Sequence, residues 1–196
     1  MTISVVHMFA KTDKLEGTVL NVCSNSLQNW THDLSPFILG PYSLWGGYQS
    51  QNMENAWQFT KVYAQHLNDN SEPNEEWWAW AKAGWADTKA HRYPMGRGAR
   101  PEYAWWDGRK LGYVQARKVI YGPLYAKAVR ETEGFRTLRK LHKEGHHLFL
   151  RDWDGRRTDE TMTEVLNNPR RKMGHAFVLK MLLEDDPALE QFEWQL

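Results

Sequence analysis

The chain has almost no cysteine and no long apolar run. Its one cysteine, Cys23, can form neither an intramolecular disulfide nor a cysteine metal cluster, and this usage is typical of a reducing compartment. No apolar stretch approaches the ~20 residues that a membrane-spanning helix requires. The first residues, MTISVVHMFAKTDKLEG, lack the basic-then-apolar pattern of a signal peptide. We therefore expect a cytoplasmic protein with no membrane partner.

The chain also lacks an excess of charge of either sign. Lys and Arg total 25 and Asp and Glu total 24 among 196 residues, which leaves a net charge of +1. A protein with this balance has no bulk attraction to nucleic acid or to anionic lipid. Any contact with DNA or RNA must therefore be local.

The motifs of several common enzyme classes are missing as well. The sequence holds no GxxxxGKS/T phosphate loop, no GxGxxG fingerprint, no GxSxG elbow and no HExxH. His146 and His147 are adjacent in a predicted strand, where neighbouring side chains point to opposite faces, so they are poor joint ligands. We expect neither a metal nor an external cofactor.

Tryptophan, in contrast, is abundant, with eleven residues in the chain. Large aromatic side chains contribute heavily to cores, but they also stack on nucleobases. Two local groups stand out, one formed by Trp105 and Trp106 and the other by Trp77, Trp78, Trp80 and Trp85. The sequence leaves open whether the second group belongs to the core or forms a lid that binds a base.

Periodicity, capping residues and turn signals predict one α+β domain over residues 1–196, mostly helical with a small β component. Short β-branched runs predict strands at residues 5–9 and 18–22, and a short apolar run predicts another at 147–150. A further candidate at 37–44 is interrupted by Gly40-Pro41. A loop is expected at residues 91–103. The predicted helices cover residues 50–67, 73–90, 113–132, 135–144, 158–166 and 172–183.

The segment SQNMENAWQFTKVYAQHL, residues 50–67, carries the main functional signal. In a helix Glu54, Gln58 and Lys61 fall in one file, because positions i, i+4 and i+7 lie within roughly 60° of one another. Apolar and aromatic residues cover most other directions, which reverses the usual balance of a surface helix. The polar file is either a solvated ridge or the lining of a pocket. In a pocket, a carboxylate and an amine supply a general acid or base and a nucleophile.

Two segments in the middle of the chain carry weaker signals. Arg97 and Arg100 lie in a glycine-containing loop that can hold a phosphate, although such loops are common on protein surfaces. In Trp105-Trp106-Asp107, one indole could stack on a base while the other packs in the core.

A third segment, near the C-terminal end, contains two carboxylates. Asp152 and Asp154 follow a predicted strand in the sequence RDWDG. Carboxylates directly after a short strand often lie at the rim of a site, but Asp-Gly is equally an ordinary turn pair.

Taken in order along the chain, these motifs resemble those of the NADAR superfamily, which is named for its link to NAD and ADP-ribose. That family shows a Ser-Asn pair, an SPF-like segment and a helix with the pattern E-x-x-aromatic-Q-x-x-K. A Gly-Arg loop, a Trp-acid pair, an acidic turn containing Trp and an N-x-x-G-type helix follow. The similar residues here are Ser24-Asn25, Ser35-Pro36-Phe37, Glu54 to Lys61, Gly96-Arg97, Trp106-Asp107, 151–155 and 172–177. The last block departs from the pattern, because Lys172-Met173 stands where an asparagine is usual.

The resemblance implies a NADAR-like fold and a hydrolase that cleaves N-glycosidic bonds without a metal or cofactor. Members of the family remove ADP-ribose from modified guanine in DNA, or remove the base from ribosyl phosphates in riboflavin synthesis. Some are phage-encoded and undo host ADP-ribosylation of phage DNA. The leading expectation is an ADP-ribosyl glycohydrolase whose partner is ADP-ribosylated DNA, acting in the host cytoplasm against a defence system if it is phage-encoded. The alternatives are a glycosidase for a small ribosylated pyrimidine phosphate, and a non-catalytic module that binds ADP-ribose or single-stranded nucleic acid.

The same resemblance suggests a role for each candidate residue. Lys61, if neutral, would attack ribose C1′ or trap the ring-opened aldehyde as a Schiff base, and Glu54 would move protons. Either Asp152 or Asp154 would orient water or a ribose hydroxyl. The expected substrate-binding residues are Ser24, Asn25, Gln58, Arg97, Arg100, Trp106 and Asp107.

Overall fold

The computed structural model of the protein describes residues 2–194, which form an α+β structure of short strands and helices. The strands are β1 (Ile3–His7), β2 (Thr18–Asn21), β3 (Tyr42–Ser43), β4 (Gln49–Ser50), β5 (Lys61–Val62), β6 (Tyr103–Trp106), β7 (Arg109–Leu111) and β8 (Leu148–Asp152). The α-helices are α1 (Met53–Gln58), α2 (Glu75–Ala86), α3 (Tyr113–Ala116), α4 (Gly122–Val129), α5 (Glu133–Lys143), α6 (Met162–Asn167) and α7 (His175–Leu183).

The described residues divide into two compact units. The first unit contains the chain through Leu39 together with Tyr125–Phe192, and the second contains Gly40–Leu124 with Glu193 and Trp194. The assignment of the whole chain to one NADAR-like domain stays a prediction. None of the helices formed between residues 2 and 194 is long and apolar enough to cross a membrane.

The first unit is built around a parallel three-stranded sheet with the order β1-β8-β2. Ile3 lies opposite Leu148 and His7 opposite Asp152, while Thr18 of β2 also aligns with Leu148. The three strands therefore end at the same edge of the sheet, with β8 in the centre. The strand prediction was correct for all three, with boundaries shifted by one or two residues.

Helix α7 forms the centre of the first unit's core. Eight of its nine residues are buried, which is expected for a helix that is apolar on all sides. It packs against β1 and β8, and the first three residues of β8, Leu148 to Leu150, are buried as well. Burial on both faces accounts for the near-continuous apolar sequence of β8, as in other parallel sheets.

The second unit contains two antiparallel sheets, the pair β3–β4 and the three-stranded sheet β5-β6-β7. The hairpin β6–β7 turns at Asp107 and Gly108, which both have positive φ. Asp-Gly is the usual sequence of such a two-residue turn. This hairpin was not predicted, because Asp107 was expected to bind a ligand and no strand was expected on either side of it.

Several helix predictions were correct in place but too long. Asn52, Asn74 and Thr161 cap the N-termini of α1, α2 and α6 with side-chain hydrogen bonds, as expected of Asn and Thr at that position. The helix predicted over residues 50–67 ends at Gln58, however, and the chain then enters β5.

The predicted break near Gly122-Pro123 takes the form of a wider turn. Between α3 and α4 the helix continues through a π-helical turn at Arg117–Tyr121. Pro123 has no N–H to donate to a carbonyl one turn earlier, and the helical ladder is altered directly before it.

Tight packing between α1 and α2 depends on Gly84. A Cβ on this residue would overlap the ring of Phe59, so Gly84→Ala should destabilise the protein by about 1–3 kcal/mol, although alanine favours a helix intrinsically. Urea unfolding would measure this change. The loss should shrink in a Phe59→Leu background, and an equal loss in both backgrounds would contradict the packing explanation.

Candidate active site

Glu54, Gln58 and Lys61 are positioned by the end of α1 and the start of β5. The helix begins at Asn52, whose side chain accepts from the Asn55 N–H at 2.8 Å. After Gln58 the sequence FTKVY is aromatic and β-branched, and it leaves the helix to pair with β6. The prediction that Lys61 lies on the same helix as Glu54 was therefore wrong.

The three side chains nevertheless form one hydrogen-bonded chain. The Gln58 Nε2 donates to Glu54 Oε1 at 2.8 Å, and the Lys61 Nζ donates to Gln58 Oε1 at 2.6 Å. A carboxylate only accepts and an ammonium only donates, so both ends dictate the orientation of the Gln58 amide. The Gln58 amide therefore connects the carboxylate of Glu54 to the amine of Lys61.

Burial distinguishes the two interpretations of this polar file. Glu54 is 7 % exposed and Gln58 is 8 % exposed, while Lys61 is half-buried at the outer end. A solvated ridge is therefore the wrong description of Glu54 and Gln58. In a low-dielectric environment, hydrogen bonds of this kind hold their geometry more strongly than they would in water.

Two tryptophans contact Lys61, and a tyrosine packs on one of them. Its Nζ lies 4.9 Å from the centroid of the Trp57 ring, and Tyr121 contacts Trp57 edge-on at 5.3 Å. The Trp77 Nε1 donates to the Lys61 carbonyl oxygen at 2.9 Å. No ligand-binding role was predicted for Trp57 or for Tyr121, which lies in the π-helical turn and is distant in sequence.

The predicted phosphate-binding arginines lie on the exposed loop that follows α2. Arg97 and Arg100 are exposed. The Arg97 guanidinium lies 5.7 Å from the Tyr93 ring, and that of Arg92 lies 5.5 Å from the same ring. The loop therefore presents arginines beside an exposed tyrosine.

Trp106 and Asp107, both predicted to bind the substrate, lie at a core position and at a turn. Trp106 is buried and its ring lies 4.5 Å from that of Trp45, so it packs in the core of the second unit. Asp107 is exposed at the β6–β7 turn. These positions are explained by packing and by turn geometry without a ligand.

The Trp77–Trp85 segment is divided between core and surface. Trp77 and Trp85 are fully buried, whereas Trp78 and Trp80 are half-buried. Trp77 and Trp85 thus belong to the core, so the core interpretation is correct for these two of the four tryptophans.

The remaining predicted residues belong to the first unit and lie at one edge of its sheet. Ser24 and Asn25 follow β2 and are exposed, and Asn25 Oδ1 accepts from Asn21 Nδ2 at 3.3 Å. Asp152 ends β8 and Asp154 comes two residues later. Because the strands are parallel, the fold brings these four residues to the same edge.

Asp152 is held at the N-terminus of α7. One carboxylate oxygen accepts from the Ala176 N–H at 3.1 Å, and the other accepts from the Asp154 N–H at 3.1 Å. Gly174 leaves the space for this arrangement, because a Cβ there would overlap the carboxylate. An anion at a helix N-terminus is favoured by the helix dipole.

His175 completes a buried ion pair that the sequence analysis did not identify. Its Nδ1 lies 3.2 Å from Asp152 Oδ2, and its Nε2 lies 2.8 Å from the Val22 carbonyl oxygen. A carbonyl and an ionised carboxylate can only accept, so both ring nitrogens carry protons and His175 is an imidazolium. The only sequence signal is a histidine at the start of an apolar helix.

The pKa of Asp152 reflects these contacts. Burial raises the pKa of Asp152. The charge of His175 and the hydrogen bonds from His175, Ala176 and Asp154 outweigh burial and lower this pKa to about 2. Asp152 is thus ionised and 3 % exposed, with both oxygens engaged. Asp154, whose side chain is 27 % exposed beside Lys172, is the better placed of the two predicted aspartates to meet a ligand.

The described part of the chain was also examined for side chains that could bind a metal ion. Across residues 2–194 there is no group of three or more His, Cys, Asp or Glu side chains arranged to hold a metal ion.

A scan against protein-family models found no match, and searches of curated proteins and of solved structures returned no significant similarity.

Proposed function

We propose that the protein is an N-glycosidase of the NADAR type that removes ADP-ribose from an ADP-ribosylated nucleobase, with guanine in DNA as the substrate base. The observation that carries the proposal is the chain Glu54–Gln58–Lys61, which joins a buried carboxylate to a half-buried amine. If the gene is phage-encoded, this activity would reverse a host modification of phage DNA.

The reaction requires help at both ends of the breaking bond. Cleavage between ribose C1′ and nitrogen develops positive charge on the sugar and negative charge on the departing base. A proton donor at the base and a proton acceptor for the attacking water each increase the rate by roughly 10²–10⁴-fold. Lys61 and Glu54 supply one group of each kind.

The surroundings of Lys61 favour its ammonium form. A hydrogen bond to an amide oxygen and a position over the Trp57 ring both stabilise positive charge. In the proposed reaction Lys61 donates a proton to the leaving nitrogen, and Glu54 accepts a proton from the water that adds to C1′. Gln58 holds the two groups in place. Proton exchange with solvent then restores both groups.

A mechanism in which neutral Lys61 attacks the sugar differs in one measurable product. It forms a Schiff base with the ring-opened ribose, and borohydride would reduce this intermediate to a stable adduct. Proton donation by the ammonium leaves no adduct. Borohydride treatment during turnover, followed by mass spectrometry of the intact protein, separates the two routes.

A second candidate substrate, a small ribosylated pyrimidine phosphate, is favoured by a specific observation. Arg92, Arg97, Arg100, Arg109 and Lys110 lie close together in the sequence, and a basic strip of this kind could follow a DNA backbone. In the structure Arg109 forms two hydrogen bonds with Glu193, and Lys110 Nζ donates to the Asn70 carbonyl oxygen. Pairing with Glu193 offsets the charge of Arg109, which weakens the attraction of this strip for a DNA backbone.

The experiment that tests the proposal incubates the purified protein with two substrates in parallel. One is DNA carrying ADP-ribosyl guanine, and the other is a ribosylated pyrimidine phosphate. We expect ADP-ribose to be released from the DNA and no base to be released from the small molecule. The reverse result would select the second candidate, and no product from either would overturn the glycosidase proposal.

A further inference from the structure

The π-helical turn Arg117–Tyr121 lies in the same unit as Lys61. Four of its five residues are buried, and its last residue, Tyr121, is 7 % exposed. A π-helical turn is wider than an α-helical turn and holds about one more residue, so the side chains after it face a different direction. Single π-helical turns within α-helices occur frequently at functional sites. The side chain that this turn orients is therefore a candidate for a functional role.

Tyr121 packs against the indole that lies over the Lys61 amine. The ring centroids of Tyr121 and Trp57 are 5.3 Å apart, with an interplanar angle of 60°, which is within the range that aromatic pairs prefer. The Lys61 Nζ lies 4.9 Å from the centroid of the same Trp57 ring, a distance at which the ring attracts a cation. Tyr121, Trp57 and Lys61 thus form one continuous series of contacts, and all three belong to the second unit.

Hydrogen bonds fix the backbone on both sides of the contact between Trp57 and Lys61. The Thr60 Oγ1 donates to the Trp57 carbonyl oxygen at 2.8 Å, and the Trp77 Nε1 donates to the Lys61 carbonyl oxygen at 2.9 Å. The freedom that remains to Trp57 is rotation of its half-buried side chain. The Tyr121 ring restricts this rotation, because the indole must break its contact with Tyr121 to turn away from the amine.

We infer that Tyr121 is a positioning residue, which holds the Trp57 ring against Lys61 and thereby keeps this amine in its ammonium form. The face of an indole carries partial negative charge, so it stabilises an ammonium and has no comparable attraction for a neutral amine. This effect on the charge of Lys61 does not require any reaction. Its consequence for turnover rests on the proposed glycosidase function, in which Lys61 donates a proton to the leaving nitrogen.

The test is competitive labelling of the full chain with acetic anhydride as a function of pH, with acetylation of Lys61 followed by mass spectrometry of its peptide. Only the neutral amine reacts, so the midpoint of the labelling curve reports the protonation of Lys61. We expect Trp57→Leu and Tyr121→Leu each to move this midpoint to lower pH by roughly half a pH unit, the effect of losing one cation–aromatic contact. Tyr121→Phe keeps the ring and should keep the wild-type midpoint.

Two controls separate this effect from general destabilisation. Lys82 lies against two other aromatic rings, and its labelling curve should be the same in every variant. Tyr42 is as buried as Tyr121, at 7 % exposure, but lies on β3. Tyr42→Leu should therefore lower the stability of the protein without moving the Lys61 midpoint. If Tyr121→Leu does not fold, Tyr121→Met fills more of the space and takes its place.

An unchanged Lys61 midpoint in the folded Tyr121 variant, or an equal shift in Tyr42→Leu, would overturn the inference. A shift in Trp57→Leu alone would overturn it as well, because the indole would then keep its place without Tyr121. Turnover of modified DNA by the same proteins tests the proposed function separately. The pH above which turnover falls should move with the labelling midpoint, whereas a shifted midpoint in a protein without turnover would contradict only the glycosidase proposal.

Discussion

Glu54→Gln should reduce release of ADP-ribose from modified DNA by roughly 10²–10⁴-fold while the protein stays folded and binds its substrate. Glutamine has nearly the same shape as glutamate, and its carbonyl oxygen can still accept from Gln58 Nε2, as the carboxylate does at 2.8 Å. Only the charge and the capacity to take a proton are lost. Lys61→Ala should reduce turnover to a similar extent, because it removes the proton donor. Product formation under single-turnover conditions is the measurement.

A lysine that is not part of the hydrogen-bonded series Glu54–Gln58–Lys61 provides the control for this prediction. Lys82 lies over the rings of Tyr48 and Trp78, at 5.5 Å and 5.9 Å from their centroids, so it shares the lysine–aromatic environment of Lys61. Lys82→Ala should keep full activity. Equal loss of turnover in Lys82→Ala and Lys61→Ala would show that the loss comes from general destabilisation of the protein. Full turnover in Glu54→Gln would eliminate the mechanism, and wild-type protein that binds ADP-ribose without releasing product would support the non-catalytic module instead.

Asp152→Asn should destabilise the protein by about 3–5 kcal/mol, because it leaves the buried imidazolium of His175 without its counter-charge. It also weakens the acceptor at the N-terminus of α7, where Ala176 donates its N–H. The free energy of unfolding in urea at neutral pH measures the effect. Asp154→Asn is the matched control, since this side chain is partly exposed and its replacement should cost less than about 1 kcal/mol.

The same ion pair makes stability depend on acid pH with a defined sign. The pKa of Asp152 in the folded protein, about 2, lies below its ordinary value of 3.8. The stabilisation, roughly 2 kcal/mol, is therefore complete above about pH 4 and is lost as the pH falls toward 2. The difference in unfolding free energy between wild type and Asp152→Asn should narrow over this range. A difference that stays constant from pH 5 to pH 2.5 would show that Asp152 does not act through its charge.

The local features of the fold were predictable because each depends on residues within one or two turns. The starts of α1, α2 and α6 lie within one to four residues of the predicted ones at residues 50, 73 and 158, and each helix is capped by an asparagine or threonine whose side chain accepts a hydrogen bond from the first helical turn. The contact between Gln58 and Glu54 follows from their i, i+4 spacing on α1. The β-branched run at β2 and the apolar run at β8 predicted those strands for the same local reason.

Contacts between distant residues were decided by the tertiary structure. Lys61 reaches Gln58 from a strand, because pairing with β6 draws the residues after Gln58 out of the helix. His175 meets Asp152 only because α7 packs on the sheet with its N-terminus at the end of β8. No spacing rule along the chain connects residues that are 23 positions apart.

By itself, then, the sequence determined the α+β composition, the positions of most helices and the acid–amide–amine series on residues 54, 58 and 61. The tertiary structure decided that Glu54 and Gln58 are buried, that Asp152 stabilises α7 and that Tyr121 meets Trp57 beside Lys61. The physical reason is that capping, turn formation and periodicity are satisfied within a few residues. Burial and ion pairing depend instead on which strands and helices the whole chain brings together.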